Sequence, residues 1–140
     1  MDRSGAAHDA PAILVVDDEP SIRTLIGAAL RGQGYRVLQA ADGLQALDLA
    51  ARGRPDLVLL DLALPLLSGH EVLRRLRQRP ATARTPVLLL SGLASPREEE
   101  QARSLGAQGV IGKPFSPAEV LQRVAQALPG PVPAPTQRPA

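Results

Sequence analysis

The chain has 140 residues, with 16 basic and 14 acidic side chains for a formal charge of +2, no cysteine, and Tyr35 and Phe115 as its only aromatics. A near-neutral sum creates no field that would by itself draw nucleic acid, and the lack of Cys excludes disulfides, thiol nucleophiles and thiolate metal sites. No apolar run reaches the length a bilayer needs and Met1 to Ala10 holds no apolar signal segment, so a one-domain, soluble, cytoplasmic protein is expected, with neither membrane nor nucleic acid as partner.

Residues 1–10 are small and polar and are expected to be disordered. The first apolar run, Ile13 to Val16, stops at Asp17-Asp18-Glu19-Pro20. Ile22, Leu25, Ile26 and Leu30 then recur at steps of three and four, one face of an amphipathic helix, with Gly32 and Gly34 to close it. Arg36 to Ala40 reads as a second strand. Asp42-Gly43-Leu44-Gln45 sets a capping oxygen three residues before an amide and opens a second helix. Leu57 to Leu60 is a third strand, followed at once by Asp61, and Ser68-Gly69-His70-Glu71 opens a third helix. Around its end crowd Arg74, Arg75, Arg77, Arg79 and Arg84, expected to form a solvated face that complements the helix dipole, with docking of an acidic partner as the other reading.

Val87 to Leu90 is a fourth strand, followed by Ser91, and Ser95-Pro96-Arg97-Glu98 opens a fourth helix with proline at its first position. There Glu98, Glu99 and Glu100 suit the positive end of the helix and need no further role. Val110-Ile111 is a short fifth strand, and Ser116-Pro117-Ala118-Glu119 opens a fifth helix. Between them lies Lys113, the single lysine beside fifteen arginines. A mobile point charge that can follow one phosphoryl oxygen is something a planar guanidinium does not replace. Residues 129–140 are proline-rich, expected to be a spacer or loose tail, with a polyproline ligand as the alternative.

Five apolar runs alternating with five helical stretches predict an α/β chain with a parallel sheet wound by right-handed crossovers. The strand-to-helix loops then gather at the carboxyl edge of the sheet, where open α/β folds bind ligands. If the first and third strands are neighbours, Asp17, Asp18 and Asp61 converge. Like charges that close need a cation or shifted protonation, and a hard divalent ion such as Mg²⁺ suits an all-oxygen set.

Asp17-Asp18-Glu19-Pro20, Asp61 through Gly69, Leu90-Ser91-Gly92 and Lys113-Pro114-Phe115 together resemble the receiver domain of bacterial two-component response regulators, over roughly residues 11–128. The resemblance implies a flavodoxin-like doubly wound (βα)5 fold of three layers with sheet order 2-1-3-4-5. It implies that Asp61 takes a phosphoryl group from a sensor histidine kinase or a histidine phosphotransfer protein. Asp18, Asp61 and the carbonyl of Ala63 would ligate Mg²⁺, with Asp17 acting mainly through bound water. Ser91 and Lys113 would each hold a phosphoryl oxygen, and the Lys113-Pro114 bond would be cis. The domain would be a signalling switch rather than an enzyme, a monomer or weak dimer that acts through a downstream protein target.

Two departures stand out. Relatives carry Phe or Tyr three residues before the lysine, where this chain has Val110, so the switch that moves an aromatic ring is expected to be muted. Ala63 and Leu93, two residues past Asp61 and Ser91, cannot hold an attacking water by a side-chain hydrogen bond, so loss of the phosphoryl group is expected to be slow. The alternatives are a receiver-fold interaction module independent of phosphate, and the receiver fragment of a longer regulator. A nucleotide-binding enzyme is disfavoured, because Asp-Asp-Glu-Pro stands where a glycine-rich phosphate loop would follow the first strand.

Overall fold

The apolar runs form strands β1 (Ala12–Val16), β2 (Arg36–Ala40), β3 (Leu57–Asp61), β4 (Val87–Ser91) and β5 (Gly109–Gly112), seen in a computed structural model that describes residues 10–129. Of the segments expected to be disordered, 1–10 and 129–140, all but Ala10 and Pro129 lie outside the described residues. All strand pairs are parallel, in the order β2-β1-β3-β4-β5, as the resemblance implied. Every residue of β1, β3 and β4 is buried. Strands covered on both faces must be apolar throughout rather than alternating, which is why these runs carry little but Leu, Val and Ile. β2, at an edge, exposes Arg36 and Gln39.

Helices α1 (Pro20–Gly32), α2 (Gly43–Gly53), α3 (Gly69–Gln78), α4 (Pro96–Ser104) and α5 (Pro117–Ala127) connect them. Alternate strand residues divide the core into two layers. Ile13, Val15, Leu57, Leu59, Leu88 and Leu90 pack with Ile26 and Leu30 of α1 and Val120 and Val124 of α5. Leu14, Val16, Val58, Leu60 and Leu89 pack with Leu47 of α2, Val72, Leu73 and Leu76 of α3, and Ala102 of α4.

The four cap signatures hold. Asp42 accepts from Gln45 N at 2.8 Å, Ser68 from Glu71 N at 3.2 Å, Ser95 from Glu98 N at 3.2 Å and Ser116 from Glu119 N at 3.1 Å. Each satisfies one of the N–H groups that a helix start leaves open. α1 is different, beginning on Glu19 with no side-chain cap and Pro20 behind it. Of the two glycines expected to close α1, Gly34 takes the left-handed turn at φ 93, while Gly32 is the last helical residue.

Strand ends run further than the sequence reading placed them, because Asp61 and Ser91 are the last residues of β3 and β4 rather than the first of their loops. Their backbones pair in the ladder, Asp61 opposite Leu90 and Ser91 opposite Gly112. The arginine face is also not uniformly solvated. Arg74 and Arg75 do pair with Glu71, at 2.8 and 3.1 Å. Arg77 instead turns inward, donating to Gly106 O at 2.7 and 3.2 Å and to Thr82 O at 3.1 Å, and burial lowers its pKa from the ordinary arginine value. It ties the end of α3 to the loops entering β4 and β5.

Candidate functional site

Asp17 follows β1 directly and its N–H donates to Ala40 O at 3.2 Å, so its backbone continues the sheet while its side chain is fully buried. Its Oδ1 accepts from Glu19 N at 3.0 Å, and Arg23 of α1 donates to its carbonyl at 2.7 Å. Asp61 ends the neighbouring β3, also buried, with Oδ1 accepting from Ala63 N at 3.0 Å. One carboxylate oxygen of each aspartate is thus bonded to the backbone, and the other faces Lys113. Asp18 is exposed at the mouth, and oxygens of Asp17, Asp18 and Asp61 lie within 4.8 Å of one another.

Lys113 reaches this cluster from the loop after β5, with Nζ 3.1 Å from Asp61 Oδ2 and 3.4 Å from Asp17 Oδ2. Its N–H donates to Ser91 O at 2.7 Å, which fixes where the stem starts, and the Lys113-Pro114 bond is cis. Burial raises the pKa of Asp17, helped by the charge of Asp61 and opposed by Glu19 N and Lys113. Burial works against the Lys113 ammonium, but the bond to Asp61 and the charges of both aspartates outweigh it and hold its pKa above the ordinary lysine value. A single ammonium against three carboxylates leaves the cluster electron-rich, and oxygen donors alone suit a hard cation. The residues present therefore fit Mg²⁺.

Close packing fixes the strand end. A Cβ on Gly69, the first residue of α3, would sit 2.5 Å from Asp61 O and 2.7 Å from Leu62 Cα, so only glycine lets the helix start abut the strand that carries Asp61. On the opposite flank, a Cβ on Gly92 would meet nothing within 4 Å. Between Gly69 and Asp61, Leu66 takes φ 70, a left-handed conformation that a leucine rarely adopts.

Ser91 is nearly buried beside Asp61. Its Oγ accepts from Leu93 N at 3.0 Å and donates to Glu98 Oε1 at 2.5 Å. Glu98 had been assigned to the helix dipole alone, so the sequence reading missed a direct partner of a site residue. Its place three residues after the cap was the available signal, because an acid there usually bonds back to the cap N–H. In α4 that N–H, on Ser95, is already taken by Leu93 O at 2.7 Å. Val110 lies buried in the core cluster that includes Leu73, Leu76, Leu89 and Ala102, and carries no ring.

A doubly wound parallel sheet with buried carboxylates and an ammonium at the carboxyl ends of β1, β3 and β5 defines a phosphoacceptor-type α/β domain, with its site at the point where strand order reverses. The response regulator receiver domain family matches residues 13–125, and the chain belongs to that family. It is 42% identical over 114 residues to the DNA-binding dual master transcriptional regulator RpaA of Synechocystis, covering 81% of this chain and 47% of that protein. It is 38% identical over 117 residues to sporulation initiation phosphotransferase F of Bacillus subtilis, covering 84% of this chain and 93% of that one. Thus the chain spans about half the length of RpaA and nearly all of the phosphotransferase.

Among solved structures, chemotaxis response regulator CheY4 of Vibrio cholerae superposes with a TM-score of 0.81 at 34% identity, over 85% of this chain and 99% of that one. The receiver domain of sensor histidine kinase PA1611 from Pseudomonas aeruginosa superposes with a TM-score of 0.76 at 36% identity, over 84% and 97%, and holds a magnesium ion in its active-site cleft. The chain is a receiver domain of two-component signalling. Among the described residues no helix is long and apolar enough to cross a membrane. The expectation that nucleic acid plays no part is not supported for longer relatives, since RpaA is named as DNA-binding.

Proposed function

We propose that Asp61 is the phosphoacceptor, taking its phosphoryl group from a phosphohistidine on a sensor kinase or phosphotransfer protein. A carboxylate oxygen of Asp61 forms the new bond to phosphorus as the donor's phosphorus–nitrogen bond breaks and its electron pair returns to the imidazole. Little covalent assistance is needed for such a transfer, so the protein contributes position and charge. Lys113, already within ion-pair distance of Asp61, neutralises the incoming oxygens, and Ser91 offers a hydroxyl to another. Asp18, Asp61 and the Ala63 carbonyl would hold Mg²⁺, with Asp17 supporting through water, and the ion would supply charge neutralisation at the phosphoryl oxygens. The convergence of three carboxylates and one ammonium at neighbouring strand ends carries this reading.

The output would pass to a protein target, or to a further domain where the chain is part of a longer regulator. Incubation with acetyl phosphate and Mg²⁺ should raise the intact mass by one phosphoryl group, and the gain should vanish in Asp61→Asn or with Mg²⁺ chelated. A gain that survives in Asp61→Asn, or no gain in the native chain, overturns the assignment and leaves the phosphate-independent module standing. Ala63 and Leu93 are both exposed and offer no side-chain polar atom to a water. The phosphorylated chain should therefore decay slowly, and Leu93→Glu should alter that rate if the position governs water access.

A further inference from the structure

Ser91 holds one hydroxyl proton, and in this structure that proton is given to Glu98. A hydroxyl donates one hydrogen bond only, so the same group cannot serve a phosphoryl oxygen and Glu98 together. Its oxygen accepts from Leu93 N, and since a carboxylate and a phosphoryl oxygen can only accept, neither can bond Ser91 except through that one proton. Glu98 sits in the first turn of α4, and the usual reciprocal bond to its own cap is blocked because Ser95 N is bonded to Leu93 O. Nearby Glu99 faces Arg103 at 3.7 Å, so α4's other partly buried acid is directed elsewhere.

Resting on the assignment of Asp61 as phosphoacceptor, we propose that the Ser91–Glu98 hydrogen bond is a latch that holds the start of α4 in the unphosphorylated state, and that a phosphoryl group opens it by competing for the Ser91 proton. Glu98 is a positioning residue: it touches neither metal nor phosphoryl group, and acts through Ser91. The device suits a chain whose Val110 has no ring to move, because the hydroxyl that senses the phosphoryl group is itself bonded to the helix that must respond. Coupling of this kind is reciprocal, so whatever weakens the latch must strengthen phosphoryl binding by the same factor.

Beryllofluoride with Mg²⁺, titrated by calorimetry against the whole chain, tests this. Glu98→Ala should bind about tenfold more tightly than the native chain, the usual worth of one hydrogen bond to a charged group. Glu98→Gln, still an acceptor but uncharged, should fall between. Glu99→Ala, which removes the same charge nearby, should change affinity by less than about twofold. In a Ser91→Ala background Glu98→Ala should have no effect, whereas an equal gain in both backgrounds would mean a field effect and overturn the latch. No gain in the native background would also overturn it.

Since Ser91→Ala weakens binding in its own right, α4 amide chemical shifts without ligand provide a second readout. Ser91→Ala and Glu98→Ala should perturb Gly92 to Gln101 alike and the double variant no further. Unperturbed α4 amides in Ser91→Ala would overturn the latch. Should the native chain bind no beryllofluoride, the phosphoacceptor assignment itself falls, an outcome separate from binding with additive variants.

Discussion

The two edges of one sheet behave as different materials. At the amino edge Pro11, Pro55, Pro80 and Pro86 line an open cavity of about 420 Å³, whose charged lining residues are Asp56 and Arg84, and Arg77 of α3 is anchored to the loops that enter β4 and β5. At the carboxyl edge three carboxylates, an ammonium and a buried hydroxyl converge. What distinguishes the edges is the direction of the parallel strands, which brings helix starts, with their open N–H groups, to one edge only.

If that division is right, changes at the carboxyl edge should cost chemistry and changes at the amino edge should cost stability. The largest expected effect is on Lys113→Ala, which should slow phosphorylation by acetyl phosphate by about a hundredfold or more, the usual loss of one charge-stabilising donor. Lys113→Arg should not restore it, because the guanidinium cannot follow a single oxygen in this space. A rate within about threefold of native for either variant would break the comparison.

Next, Arg77→Ala should lower stability by about 2–3 kcal/mol in urea unfolding, taking both guanidinium bonds from the Gly106 carbonyl and leaving that of Thr82 with Thr85 N alone, while the phosphorylation rate stays near native. Gly69→Ala sits on the boundary, since its Cβ would collide with the backbone of Asp61 and Leu62. It should cost about 1–3 kcal/mol and slow phosphorylation as well, the one change expected to move both readouts. A loss of stability alone would mean that the strand end tolerates displacement.

Tyr35→Phe should be neutral or stabilising by about 1 kcal/mol, because the buried hydroxyl has no hydrogen-bond partner. Burial raises the Tyr35 pKa above 10.0, so the folded chain keeps the phenol proton after the unfolded chain has lost it. That contribution is complete below pH 10 and is lost as pH climbs through the folded value. Tyr35→Phe should therefore flatten part of the alkaline decline in stability, measured by unfolding between neutral pH and pH 11 or so. Smallest is Leu66→Gly, which relieves a left-handed leucine at a 77% exposed position and should stabilise by under about 1 kcal/mol.

Most of the scaffold could be read before it was seen, for physical reasons that are local. Continuous Leu and Val runs announce strands covered on both faces, and Ser-x-x-Glu or Asp-x-x-Gln announces a helix start, so β1, β3 and β4 fell within a residue of their expected bounds and the caps of α2 to α5 on the expected residues. The convergence of Asp17, Asp61 and Lys113 was legible because each follows an apolar run, and the ends of parallel runs gather at one edge of the sheet. What was not legible depended on a choice among neighbours in space. Glu98 could have bonded its own cap, solvent or Ser91, and only the occupied Ser95 N–H decides. Arg77 carries the same sequence signature as Arg74 and Arg75, yet its position on the helix turns it toward Gly106 rather than Glu71. Leu66 gives no sign of positive φ, since nothing in its type favours it.

The abutment of Gly69 on Asp61 has a mechanical consequence. No room is left even for a methyl group between the start of α3 and the carbonyl of Asp61, so strand and helix are keyed together and displacement of one must carry the other.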